Sequence, residues 1–388
     1  MSKLKLFYLI ALSMLGFVAT DMYLPAFKAM ENDFVTGPEP IALSLTVFLV
    51  GMAVGQLLWG LASDRFGLRN TLAVGLFIFA LASLGLVWSS QIWQLLVLRF
   101  IQAVGVCAPA VIWQAMVIKR HSSNSQRLFA TIMPLVALSP ALAPQVGVLL
   151  LDSFGWQSIF VVLTLIGVIL LLATLQLDKD NVTVQSSNIS ADIKSLLSSK
   201  VYMGNVTMFA MASAAFFAYL TGMPEIMAQL GYSAKDIGLS FIPQTIAFMV
   251  GGMAGKHAVS RFGDNKVLCA LVLLFSVSAI STFMTCQFSL ASIWPILLPF
   301  CLLAVANGAL YPIVVNRALA TAKHCPATGA GLQNSLQICV SSISSALVAA
   351  YASQAQTITG IAILICLLGL WMGYMMSKKA STPLSEHV

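Results

Sequence analysis

The sequence predicts an all-α membrane protein of twelve transmembrane helices arranged as two pseudo-symmetric six-helix halves around a central cavity. Three observations carry this prediction: a composition too apolar for water, twelve separate apolar runs of spanning length, and a loop motif that recurs at half the chain length. Of 388 residues, 59% are hydrophobic and only 9% charged, with mean hydropathy +0.92. A soluble domain carries about a quarter charged residues, so a water-soluble enzyme is excluded.

The apolar runs are 5–27, 41–63, 71–89, 94–117, 128–150, 156–176, 201–228, 237–257, 266–286, 291–315, 327–350 and 356–376. Each has about the 20 residues that a helix needs to cross hydrocarbon. They are continuously apolar, not alternating, which argues against a β-barrel. No small-residue cleavage site follows the first run, so it reads as a retained helix and not a signal peptide.

Lys and Arg mark the two faces. Seventeen of the twenty precede the first run or fall in loops 2–3, 4–5, 8–9 and 10–11, the central stretch or the tail. Lys28 and Lys235 fall on the opposite face, and Arg99 lies inside a run. The positive-inside rule then places both termini in the cytoplasm, as expected for a multi-pass membrane protein. The net charge of +7 is thus a topology signal. No basic tract with polar neighbours points to nucleic acid. The expected partners are the lipid bilayer and a small-molecule substrate, and the chain is expected to be a monomer.

Arg65-Phe66-Gly67 in loop 2–3 recurs as Arg261-Phe262-Gly263 in loop 8–9, displaced by 196 residues, and Gly55 matches Gly251 by the same shift. Half the chain is 194 residues. The expected organisation is therefore an N-terminal half at 1–176, a cytoplasmic linker at 177–200, a C-terminal half at 201–376 and a tail at 377–388. Repeated halves around a midplane site are the architecture of alternating-access carriers.

Two ionisable residues interrupt apolar runs. A charge at membrane depth costs several kcal/mol and marks a functional position by default. Asp21 lies about 24 Å along the first helix from Lys5, and Arg99 roughly 8 Å from the outer end of the fourth. Both fall in the outer half of the bilayer, where an acid and a base on facing helices can meet. Arginine stays charged, so Asp21 is the expected proton carrier and Arg99 its fixed counter-charge; a static buried pair is the alternative. The 196-residue shift carries these positions to Phe217 and Pro295, so coupling is expected in the first half only.

The motif Gly60-xxx-Asp64-Arg65-x-Gly67-x-Arg69 resembles the loop 2–3 signature of the major facilitator superfamily. Leu95-xxx-Arg99-xx-Gln102-xx-Gly105 resembles its fourth-helix motif, and Ser139-Pro140-Ala-Leu-Ala143-Pro144-Gln-Val-Gly147 its fifth-helix antiporter motif. Thr20-Asp21-Met22-Tyr23-Leu24-Pro25-Ala26 is similar to the Bcr/CflA drug-resistance branch. The stretches Ile242-Pro243-Gln244 and Ala306-Asn307-Gly-Ala-Leu-Tyr311-Pro312 resemble purine nucleoside transporters of that branch. The resemblance implies a major facilitator fold. It also implies a gating role for Asp64, Arg65 and Arg69, which form a cytoplasmic latch in that family, and proton transfer at Arg99. Pro140 and Pro144 bend the fifth helix, which in a carrier permits a gating motion; a static kink is the alternative.

A nucleoside needs aromatic faces and amides: amides pair with a base edge and aromatic rings stack on it. The candidates are Tyr23, Gln102, Trp113 and Gln114 in the first half, and Tyr219, Gln244, Asn307, Tyr311, Gln333, Asn334 and Gln337 in the second. Polar glue between helices is the alternative for each amide. Glu225, beside Pro224, joins them as a cargo contact, second proton site or gate, with an interfacial charge as the alternative.

The seven cysteines show no CxxC or Cys/His metal spacing, and His257 and His324 read as solvated at helix ends. No metal, cofactor or catalytic set is expected, and no phosphate loop for ATP is visible; a proton gradient is the expected driving force. The expected function is proton-coupled transport of purine nucleosides by alternating access. The alternative is multidrug efflux by proton antiport.

Overall fold

The computed structural model describes residues 3–136, 138–178, 189–288 and 292–379. With no water in hydrocarbon, each spanning segment must pair its own backbone groups, and helices separated by turns fill the described chain. They are α1 (Lys3–Asp21), α2 (Phe27–Asp33), α3 (Pro38–Phe66), α4 (Leu68–Val87), α5 (Ile92–Arg120), α6 (Ser125–Val136), α7 (Ser139–Phe154), α8 (Gln157–Leu175), α9 (Ile189–Ser198), α10 (Lys200–Gln229), α11 (Ala234–Phe262), α12 (Asp264–Cys286), α13 (Trp294–Thr321), α14 (Pro326–Ala350) and α15 (Ala355–Lys379). Parts of the expected linker (179–188) and tail (380–388) lie outside the described residues.

Among the described residues, each apolar run falls mainly on helix. Among the described residues, nine helical stretches are long and apolar enough to cross a membrane. The other three runs fall on α6–α7, α11 and α14. The first of these is divided in two, α11 carries Asp236, Lys256 and His257, and α14 carries Gln333, Asn334, Gln337 and a series of serines.

Two runs expected as continuous helices are broken. The first helix ends at Asp21, and the chain turns into a 3₁₀ segment, Leu24–Ala26, before α2. A proline ring clashes with the carbonyl four residues back, and for Pro25 that carbonyl belongs to Asp21. The fifth run ends α6 at Val136 and resumes as α7 at Ser139. Val136 is likewise four residues before a proline, Pro140.

By packing, the chain forms two units: residues 1–121, 138–192 and 324–335, and residues 122–137, 193–323 and 336–388. Within the first, α3, α4 and α1 pack on α5, and α4 packs on α8. Within the second, α11, α12 and α10 pack on α13, and α12 packs on α15. These are the same neighbours displaced by the internal repeat. The exchanged segments obey it too. In the first unit, a Cβ on Gly60 of α3 would meet the Ala327 carbonyl of α14 at 2.6 Å. In the second, Lys256 of α11 donates to Thr131 Oγ1 of α6 at 2.8 Å. Positions 60 and 256, and 131 and 327, are each separated by the 196 residues of the repeat.

The repeated loop has a physical reason for its glycine. Gly67 (φ 88°, ψ 147°) and Gly263 (φ 79°, ψ 156°) share a backbone conformation that side chains oppose. Their amides close the preceding helices on Ser63 O and Val259 O, each at 3.0 Å. Substitution of either by alanine forces a Cβ into this region, at about 1–3 kcal/mol. Gly67→Ala and Gly263→Ala are each expected to lower the melting temperature of the detergent-solubilised protein; unchanged melting in both would show that the turn tolerates a side chain.

Candidate functional site

In the first unit, polar groups converge on Arg99 of α5, which has no exposed surface. A buried guanidinium needs acceptors and a polarisable surround. Its central carbon lies 3.9 Å from the Tyr23 ring centroid and 4.1 Å from that of Phe48, so two aromatic faces clasp the cation. Nη1 donates to the Ala19 carbonyl at 3.2 Å and to Gln102 Oε1 at 2.5 Å. Ala19 lies in the last turn of α1, where the helix dipole presents its negative end. Gln102 Nε2 donates to Ser83 Oγ of α4 at 2.8 Å, and Ser83 donates to the Phe79 carbonyl at 2.7 Å. The Tyr23 and Ser44 hydroxyls share a hydrogen bond of 3.2 Å. Gln102 therefore has both amide atoms engaged; a cargo contact at Gln102 would displace one of these bonds. Phe48, Ser83 and Ser44 were not among the expected residues, and only their helical register could have suggested them.

Asp21, half-buried, is the last residue of α1. The expected direct contact with Arg99 is corrected: among the described residues no ion pair joins them, and Asp21 Oδ2, Arg99 Nε and Arg99 Nη2 have no hydrogen-bond partner. Arg99 reaches the end of α1 but meets the backbone at Ala19. Gly147 of α7 closes the same region from another side, because a Cβ there would collide with the Met22 carbonyl. That glycine belongs to the fifth-helix motif, so the motif is what brings α7 against the turn beside Asp21. Pro144 continues α7, and the side chain of Pro140 lies outside the described residues.

The first unit also holds an amide group. Gln114 Nε2 donates to Asn334 Oδ1 at 3.3 Å, and Gln114 Oε1 has no partner. Gln333 is fully buried with both amide atoms unpaired, and Trp113 is buried beside Gln114 in sequence. These unpaired atoms are able to bind a polar ligand edge.

The second unit arranges its candidates differently. Gln337 donates to Ser213 Oγ at 2.6 Å and to Ser341 Oγ at 3.3 Å, and Thr221 and Ser345 share a bond of 2.6 Å. Residues 337, 341 and 345 of α14 recur every four positions, so this ladder of one amide and two hydroxyls lies along one helix face against α10. Asn307 donates to the Ala212 carbonyl at 3.2 Å, while Asn307 Oδ1 and Gln244 Oε1 have no partner. Tyr219 lies nearly parallel to Phe300 (5°), with its hydroxyl unpaired. Tyr311 is edge-on to Phe209 and tilted against Phe248, at centroid distances of 5.0 and 5.6 Å. Glu225 Oε1 accepts from Gln229 one turn along the same helix at 3.0 Å.

The loop motif anchors α14 within the first unit. Asp64 accepts from the backbone amides of Ala327 (3.3 Å) and Thr328 (2.6 Å) and pairs with Lys119 at 3.2 Å. A carboxylate at a helix N-terminus meets unpaired N–H groups and the positive end of the dipole. Arg69 donates to the Leu175 carbonyl at 2.6 Å, and Arg65 lies over the Phe66 ring. Burial first, then neighbouring positive charges that include Lys5 and Arg120, hold the His121 imidazole below its usual range, so it adds no cation here near neutral pH. In the second unit the corresponding loop uses Arg317 and Asp264, paired at 2.9 Å.

Comparison with known proteins agrees with this architecture. The sequence profile described as Major Facilitator Superfamily matches residues 9–349. An uncharacterized MFS-type transporter of Bacillus subtilis, YdgK, is 27% identical over 97% of this chain and 96% of its own. A bicyclomycin resistance protein homolog of Haemophilus influenzae is 26% identical over 87% of each chain. Among solved structures, the E. coli fucose:proton symporter FucP superposes with a TM-score of 0.76 at 18% identity, covering 98% of this chain and 99% of its own.

Hydrogen bonds to a charged group contribute about 1.5–3 kcal/mol. Gln102→Leu, which strips one acceptor from Arg99, is expected to destabilise the protein by that amount in denaturation measurements, and Ser83→Ala by less. Equal effects would show that Gln102 does not hold the cation. At the Asp64–Lys119 pair, a double-mutant cycle of Asp64→Asn with Lys119→Met is expected to yield a coupling of only about 0.2–1 kcal/mol, because the lysine is part-exposed. The single Asp64→Asn change is expected to cost more, since it also removes the charge capping α14; equal costs for the two single changes would refute the cap.

Proposed function

The chain belongs to the major facilitator superfamily, and on that premise we propose that it exports drug-like small molecules across the bacterial inner membrane in exchange for protons. The observation that carries the choice of cargo is the match to the bicyclomycin resistance homolog over 87% of both chains. The proton role rests on the first unit. Asp21 is a half-buried acid at a helix end, with one oxygen unpaired, and Arg99 is a permanent charge held in the same region by Ala19, Gln102 and two rings. Asp21 is the proposed proton carrier, and Arg99 sets the local field. Both termini and the face bearing Asp64 and Lys119 are assigned to the cytoplasm by the basic-residue bias.

A second reading, import of purine nucleosides with protons, is supported by the buried amides with unpaired atoms at Gln114, Gln333, Asn307 and Gln244. Such groups suit a base edge. The named relatives favour the export reading.

Deletion of the gene is expected to lower resistance to bicyclomycin or to a phenicol, and expression of the wild-type chain to restore it. Asp21→Asn is expected to reach the membrane at normal levels and to restore no resistance. Labelled adenosine uptake by vesicles that follows the inward proton gradient, with drug resistance unchanged by deletion, would replace the export reading by the nucleoside one. Full activity of Asp21→Asn would remove Asp21 from the mechanism under either reading.

A further inference from the structure

We propose that Asp192, His324 and Cys325 form a binding site for one divalent transition-metal ion, with Zn²⁺ the best match to the ligand set. One ligand atom from each residue lies within 4.8 Å of the other two. Asp192 is in the first turn of α9, while His324 and Cys325 lie in the turn between α13 and α14, so residues far apart in sequence are brought to one point.

The donor chemistry is selective. Thiolate, imidazole and carboxylate suit a borderline-soft ion, whereas Ca²⁺ and Mg²⁺ take oxygen ligands. Ligand atoms around a tetrahedral zinc stand about 3.5 Å apart, given bonds of roughly 2.0–2.3 Å. Side-chain movements on the order of 1 Å bring the observed set to that spacing. Three protein ligands leave a fourth position for water.

The surroundings favour such a site. Cys325 is buried (2% exposed), and its carbonyl accepts from the Gly329 amide at 2.9 Å, so its backbone is fixed at the start of α14. His324 is exposed and gives an ion access from solvent. The Asp64 carboxylate is bonded to the amides of Ala327 and Thr328, close in sequence to Cys325, and adds negative charge. A bound ion would tie α9 to the α13–α14 turn, cross-linking two segments joined otherwise by a long stretch of chain.

The test uses the full-length, tag-free protein in detergent, washed with chelator and titrated with Zn²⁺ alone by calorimetry. One ion per chain is expected, with excess Mg²⁺ or Ca²⁺ failing to compete. His324→Ala alters an exposed side chain, so its melting in chelator should match wild type while its zinc affinity falls about tenfold or more. Asp192→Asn provides a second variant that retains the thiol. With Co²⁺ in place of zinc, a thiolate-to-metal absorption band is expected in wild type and absent in Cys325→Ser. Absence of saturable one-to-one binding would overturn the site. So would wild-type affinity in both His324→Ala and Asp192→Asn, or a cobalt spectrum without the thiolate band.

Discussion

A guanidinium with no exposed surface and, among the described residues, no carboxylate bonded to it has to be solvated by the protein itself. Arg99 cannot relieve its burial by losing a proton, so the helices around it supply what water would have supplied. The last turn of α1 gives the Ala19 carbonyl, α5 gives Gln102, and α4 supports Gln102 through Ser83. Tyr23 and Phe48 present their rings. Two of these contributions depend on α1 stopping where it does. Had α1 continued past Asp21, Ala19 would bond within the helix and Tyr23 would lie on a helix face rather than in the turn. Pro25 thus acts at a distance of several residues on the charge that the unit is built to hold.

The internal repeat gives both units the same frame but not the same chemistry. Gly67 and Gly263 make the same turn, and the helices that follow pack on equivalent partners. The contact between α3 and the start of α14 is matched by that between α11 and α6. On this common frame the first unit carries Arg99 and Asp21, and the second carries Pro295 and Phe217 at the displaced positions. The second unit is instead laced by hydroxyls and amides along α10 and α14. A duplicated scaffold lets one copy keep a costly buried charge while the other diverges, because neither copy's backbone turns depend on that charge.

The helices were legible because burial in lipid leaves a continuous apolar run with no competing interpretation. Their interruptions were not. Pro109, Pro134, Pro144, Pro224, Pro243, Pro299 and Pro312 all sit inside continuous helices, whereas Pro25 and Pro140 each follow a helix end by four residues. Proline alone does not decide between a kink and a break. The site was legible as residue types and not as pairs. Arg99 was visible as an embedded charge and its acceptor Gln102 as part of the same motif, but its other acceptor, the Ala19 carbonyl, is backbone and leaves no mark in the sequence. Asp64 was visible in its motif, but its amide donors lie at Ala327 and Thr328, a separation that no local pattern spans.

The absence of a direct bond between Asp21 and Arg99 bears on the proposed proton role. Parting a tight buried ion pair costs several kcal/mol, because one removal strands the other charge. A carrier that had to break such a pair in every cycle would meet that cost each time. Here the guanidinium is satisfied by Ala19, Gln102 and two aromatic faces, none of which changes charge. Asp21 retains an unpaired oxygen at the end of its helix. The proposed switch is then an acid that exchanges its proton within the fixed field of a cation, with the cation's own contacts kept intact. Gln102 and Ser83 serve that arrangement indirectly: by holding Arg99 to the α1 terminus, they keep the field in place while the acid alone titrates.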